Sequence, residues 1–154
     1  MLSNSWGTDI EMEIEYRTLS RVEASERLTR LFCELTGEKI TPDVNRLNSL
    51  IAADDIAFHT AWLDGELVGM TSVIPCRTAI SNKLWIEDVA VLNECRGCGI
   101  GRGLLEFAMA DSRSRFFDGT FWLTSRPSRT AARKMYASMG FKEYETGVFF
   151  LDIQ

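Results

Sequence analysis

Apolar positions along the chain change spacing from segment to segment, and the changes mark out its elements. Val22, Leu28, Leu31, Phe32 and Leu35 fall near the ~3.6-residue period of an amphipathic helix, which Gly37 stops. A short strand over Glu13 to Thr18 precedes that helix, and Thr41-Pro42-Asp43 opens a second one. Ile56 to Leu63 and Glu66 to Pro75 have strand composition and flank Asp64-Gly65, a pair that favours a tight hairpin turn. Leu84 to Leu92 is a third long strand, and beyond a glycine-rich stretch a helix runs to about Arg115. Asp118-Gly119 turns into a strand over Thr120 to Thr124, and Pro127-Ser128 opens a helix that reaches Met139 and ends at Gly140. Phe141 to Ile153 then reads as a final hairpin around Gly147.

A strand, two helices, a strand meander and two strand–helix units predict an α/β chain with a mixed sheet and helices on both faces. The pattern contains no repeat and no linker, so residues 13–154 are expected to form one domain behind a flexible segment, 1–12. A chain of 154 residues buries roughly 70% of its unfolded surface, enough for a core without staples. The four cysteines therefore need no bridges, and free thiols suit a reducing compartment. With no signal-peptide pattern and no stretch near the ~18 apolar residues of a membrane span, the sequence reads as cytosolic, off the membrane. A net charge of −5 argues against nucleic acid as a partner, because polyanion binders carry a basic face. A homodimer is left open.

Any anionic ligand must then be held locally, and one stretch suits that task. Arg96-Gly97-Cys98-Gly99-Ile100-Gly101-Arg102-Gly103 lies between a strand and a helix, so unpaired N–H groups and the positive end of the helix dipole face its ligand side. Glycines at 97, 99 and 101 let backbone approach a phosphate closely. The spacing excludes a P-loop, which needs Gly-Lys-Ser/Thr where Arg102-Gly103 stand. It also excludes the dinucleotide fingerprint, because neither Gly97 nor Gly99 begins a complete G-x-G-x-x-G.

The run Val91-Leu92-Asn93-Glu94-Cys95-Arg96-Gly97-Cys98-Gly99-Ile100-Gly101 resembles, without a gap, the strand and R/Q-x-x-G-x-G/A loop of the GNAT superfamily of N-acyltransferases. Downstream, Ala132, Tyr136 and Gly140-Phe141 reproduce that family's A-x-x-x-Y-x-x-x-G-F ending. The resemblance implies a mostly antiparallel sheet splayed at a CoA site, with acetyl-CoA as acyl donor and no metal. It assigns the pyrophosphate to the loop, Arg96, Gly97, Cys98, Gly99, Ile100, Gly101 and Arg102. The pantetheine arm and acyl carbonyl go to the strand backbone at Val89, Ala90 and Val91. Where many members have Asn seven residues before the tyrosine, this chain has Arg129, a side chain suited to pairing with phosphate, as are Arg133 and Lys134.

Transfer to an amine requires removal of a proton from a group mostly protonated at neutral pH. Glu87 is the candidate base, on the face that the resemblance gives to the acyl group, and Asp88 is the alternative. Strand alternation puts Glu87 on one face with Val89 and Val91, and Asp88 with Ala90 on the other. Tyr136, by the resemblance, returns a proton to the departing CoA thiolate. The acceptor is a primary amine, of a small molecule or of a protein, on which the sequence says nothing further. His59, the only histidine, sits between apolar neighbours and reads as structural, and Trp62, Trp85 and Phe149 read as core aromatics. Cys95-Arg96-Gly97-Cys98 is also the C-x-x-C of a thiol–disulfide oxidoreductase, and a GNAT-like domain that only senses acyl-CoA is a second alternative.

Overall fold

The computed structural model describes residues 12–23 and 26–153, and they fall into two compact units, Met1–Thr124 and Ser125–Gln154. All but the last residue of the segment 1–12 lies outside the described residues.

The first unit contains a five-stranded sheet in the order β1-β2-β3-β4-β5, formed by Ile14–Leu19, Ala57–Leu63, Glu66–Arg77, Asn82–Val91 and Thr120–Trp122. The first four strands are antiparallel and β5 is parallel to β4, which makes the sheet mixed. Asp64 and Gly65 both take positive φ, 49° and 81°, the conformation that matches a two-residue turn to the twist of its strands. Helix α1 is Glu26–Thr36 and α2 is Val44–Ala52, capped by the Asp43 carboxylate accepting from the Arg46 N–H at 3.0 Å. Helix α3 is Ile100–Arg115.

Burial runs without a break along most of β2 and β3, as in strands covered on both faces. Helix α3 lies over Tyr16, His59 and Gly69, with Phe107 against the Tyr16 and His59 rings and Leu104 against Gly69. A Cβ on Gly103 would overlap the Tyr16 hydroxyl and ring, so a larger residue there has to displace the Tyr16 side chain. Helix α1 packs on β3 and β4, and Leu28, Leu31, Phe58, Met70, Leu92, Ile100 and Leu104 belong to one buried cluster. That cluster anchors both ends of the glycine-rich loop.

The second unit holds α4, Thr130–Ser138, closed by Gly140 at φ 94°. The final hairpin expected over Phe141 to Ile153 is not formed. Residues 141–153 contain no strand, Gly147 does not take the left-handed φ of a tight turn, and Val148, Phe149, Phe150, Leu151 and Ile153 are 77% to 96% exposed. A lone two-stranded hairpin is marginal in water, and this segment pairs with no strand that would stabilise it. Phe149, at 96% exposed, is accordingly no core aromatic.

Candidate active site

The carboxylates sit where β4 breaks its pairing rhythm. Ser72 lies opposite Glu87 and Met70 opposite Ala90, so two residues of β4, Asp88 and Val89, face Thr71 alone. This is a β-bulge, and Asp88 takes its extra residue's left-handed conformation at φ 56°, which Asp tolerates better than most residues. Cross-strand partners share a face. Glu87 and Ala90 therefore lie on one face with Ser72 and Met70, and Val91 lies on the other with Gly69. Unbroken alternation had put Glu87 with Val91 and opposite Ala90; the inserted residue reverses that phase.

Two buried hydroxyls hold the bulge. The Ser72 hydroxyl donates to the Asp88 carboxylate at 2.9 Å, and the Thr71 hydroxyl donates to the Glu87 carbonyl at 3.0 Å. Asp88 is thus tied down while Glu87 remains exposed. Partial desolvation of its carboxyl, and then the neighbouring Asp88 charge, raise the Glu87 pKa above the ordinary carboxylate value.

Beyond the bulge β4 loses its outer neighbour, because pairing with β5 ends at Trp85 while β4 continues to Val91. The Leu92 N–H donates to the Val68 carbonyl at 2.9 Å, so the backbone of Val91, one residue earlier, is directed away from β3 toward the open side. Val89 sits in the bulge, where alternation does not fix its backbone direction. After a short 3₁₀ turn, Asn93–Cys95, comes the loop, in which Gly97 and Gly99 take φ of 79° and 78° and Gly99 is the N-cap of α3. The Gly103 N–H is the first to bond back into the helix, to the Gly99 carbonyl at 3.0 Å. The earlier amides of the turn, at Ile100 and Gly101, have no helical carbonyl to bond. Ile100 is 1% exposed, so its side chain anchors the turn. Arg102 pairs with Glu106 at 2.8 Å.

The arrangement is an open strand edge leading to a helix N-terminus with glycine-shaped backbone, beside a carboxylate of raised pKa. The GNAT acetyltransferase family model matches residues 22–141, across both units. This chain belongs to that family. Among curated relatives, streptothricin acetyltransferase of Streptomyces lavendulae is 36% identical over 58% of this chain and 46% of its own length. The probable N-acetyltransferase camello of Xenopus laevis is 29% identical over 62% and 43%. The chain thus spans about half the length of such relatives. Among solved structures, an aminoglycoside acetyltransferase from an uncultured soil metagenomic sample aligns with a TM-score of 0.76 at 19% identity, over 92% of this chain and 97% of that one. An aminoglycoside N-acetyltransferase in complex with CoA aligns at 0.74 and 18%, over 94% and 98%. These two likenesses are of fold.

Glu87, Asp88, the β4 edge and the loop lie together in the first unit of this GNAT chain, whereas Arg129 and Tyr136 belong to the second. There Arg129 is the N-cap of α4, and the Tyr136 ring meets Phe141 with centroids 6.0 Å apart. Burial raises the Tyr136 pKa, against a smaller opposing effect of Arg129, which keeps the phenol protonated at neutral pH. Cys95 and Cys98 are unbridged, and partial burial, followed by the Glu94 charge, pushes the Cys95 thiol up. A redox-active cysteine needs the opposite shift. His59 is fully buried with Nε2 3.0 Å from the Asp111 carboxylate, and burial lowers its pKa, in keeping with a structural role. Among the described residues no group of three or more metal-ligating side chains occurs, and no helix is long and apolar enough to cross a membrane.

Thr71 and Ser72 escaped the sequence reading because polar residues inside a buried strand signal nothing about what they hold. Their arrangement makes Asp88 testable. Asp88→Asn should keep the bulge, since Asn also accepts left-handed φ and retains an oxygen for Ser72. It removes the like charge that helps to raise Glu87, so the acidic limb of kcat/KM is expected to move to lower pH. A limb that stays in place shows that the limb does not report Glu87.

Proposed function

We propose that this GNAT chain transfers an acetyl group from acetyl-CoA to a primary amine. The observation that carries the reading is the loop, where Arg96, Gly99 and Gly101 match the family's R-x-x-G-x-G spacing residue for residue and Gly99 takes left-handed φ as the N-cap of α3. In this reading the amides from Gly97 to Gly101 hold the CoA pyrophosphate, with Arg102 and Arg129 nearby in role, and the Val91 N–H serves the pantetheine arm. Val89 and Ala90 border the acyl group. Both units act as one acyltransferase domain, in keeping with the family match across their division.

Glu87 takes the proton, directly or through water, as the amine nitrogen attacks the thioester carbonyl. The tetrahedral adduct collapses to the amide and expels the CoA thiolate, which Tyr136 protonates; that role comes to Tyr136 from the family's spacing. The acceptor is a small-molecule or protein amine, and the net charge of −5 favours the approach of cationic acceptors. Free thiols and the absence of a spanning helix among the described residues support a cytoplasmic setting.

Thiol release from acetyl-CoA against aminoglycosides, streptothricin, peptide α-amines and simple alkyl amines tests this function. Turnover with at least one class is expected, and acetyl-CoA binding without turnover on any of them favours a sensor. Tyr136→Phe should lower kcat by about 10²-fold or more. The deficit should shrink with an acyl donor whose thiol is a better leaving group, and an equal deficit with both donors removes the acid role from Tyr136.

A further inference from the structure

The side chain of Arg96 is tied into the protein at three points. Its Nε donates to the Val91 carbonyl at 3.0 Å, Nη1 to the Asn93 side-chain oxygen at 3.3 Å, and Nη2 to the Glu34 carboxylate at 2.9 Å. Those partners are the last residue of β4, the 3₁₀ turn and helix α1, which a planar guanidinium can bridge at once. A second tie lies beside the first, where Glu94 meets Arg30 at 2.7 Å and Arg27 at 3.8 Å. Cys95, between the two tied residues, packs against the core. Helix α1 therefore grips the corner from which the loop departs at two points that flank a partly buried anchor.

We propose that Arg96 is a positioning residue for acetyl-CoA binding, clamped by Glu34 so that the backbone amides of the loop are fixed before the pyrophosphate arrives. The proposal rests on reading the loop as the CoA site. Arg96 acts through the strand end and the turn, and its own charge is already paired with a carboxylate. Helix α1 thereby becomes part of the cosubstrate site without touching the cosubstrate.

Glu34→Gln is the informative variant, because the two possible roles of Arg96 predict opposite signs. If Glu34 holds the clamp, its neutralisation weakens acetyl-CoA binding by about three- to tenfold, with kcat at saturation unchanged. If Arg96 contacts phosphate, the same change frees a guanidinium, and affinity stays or tightens; that outcome overturns the proposal. Arg96→Ala should lose affinity, and adding Glu34→Gln to it should cost nothing more. A further loss in the double variant means that Glu34 acts elsewhere. Arg96→Lys should fail to restore affinity, since a point charge cannot make three directed bonds, and full restoration overturns the clamp. Ligand-free Tm should stay close to wild type in Glu34→Gln, an isosteric change at a half-buried surface residue, and a large drop assigns the pair to folding instead. Failure of the wild-type protein to bind acetyl-CoA refutes the loop assignment itself, whatever the variants do.

Discussion

Glu87→Gln should lower kcat/KM for the amine by about 10²- to 10⁴-fold, the usual effect of removing a positioned base, while acetyl-CoA affinity stays nearly unchanged. The carboxylate is the working form of a base, so activity must fall as pH drops through the folded-state pKa of Glu87. Desolvation and Asp88 both raise that pKa, which places the acidic limb at higher pH than an ordinary carboxylate would give. Gln cannot titrate, so the variant should lose that limb. Raising the pH should partly rescue it, because more of the amine is then already neutral. A Glu87→Gln protein with the wild-type rate and pH profile moves the base to Asp88, a water chain or the substrate, and leaves the fold and cosubstrate assignments standing.

Gly99→Val should reduce acetyl-CoA affinity by about 10²-fold or more, equivalent to roughly 2.7 kcal/mol, without unfolding the protein. Gly99 holds φ at 78° as the N-cap of α3, a conformation that a β-branched residue adopts only under strain of about 1–3 kcal/mol. That strain falls within the 5–15 kcal/mol stability of an ordinary domain, and a Cβ there meets no heavy atom within 4 Å. The added side chain enters the space into which the loop amides open, and the strained backbone turns those amides from their setting. Circular dichroism and thermal melting check the fold, and calorimetry checks the affinity. Normal binding by a folded Gly99→Val protein shows that acetyl-CoA does not use this loop.

The residues that announced themselves were those whose local chemistry admits one backbone answer. Asp64-Gly65 signalled its hairpin because few pairs take two successive positive φ values, and the glycine spacing from 97 to 101 signalled the loop for a related reason. The bulge gave no such sign. Asp88 adopts left-handed φ without a glycine to mark it, held by hydroxyls sixteen residues away in β3, so alternation read along β4 alone carried the wrong phase past it. The Arg96–Glu34 tie spans 62 residues, and only the packing of α1 beside the turn brings its ends together. The unformed hairpin after Phe141 shows the converse. An apolar run has strand composition wherever it lies, but a strand exists only where a partner takes its hydrogen bonds.

Titration of the wild-type protein with acetyl-CoA by calorimetry tests the central claim most directly, because the fold, the loop geometry and the family all meet at that cosubstrate. The expected result is saturable binding with a Kd in the micromolar to sub-millimolar range, matched by CoA itself and accompanied by a rise in Tm. No heat and no thermal shift at millimolar acetyl-CoA would contradict the account.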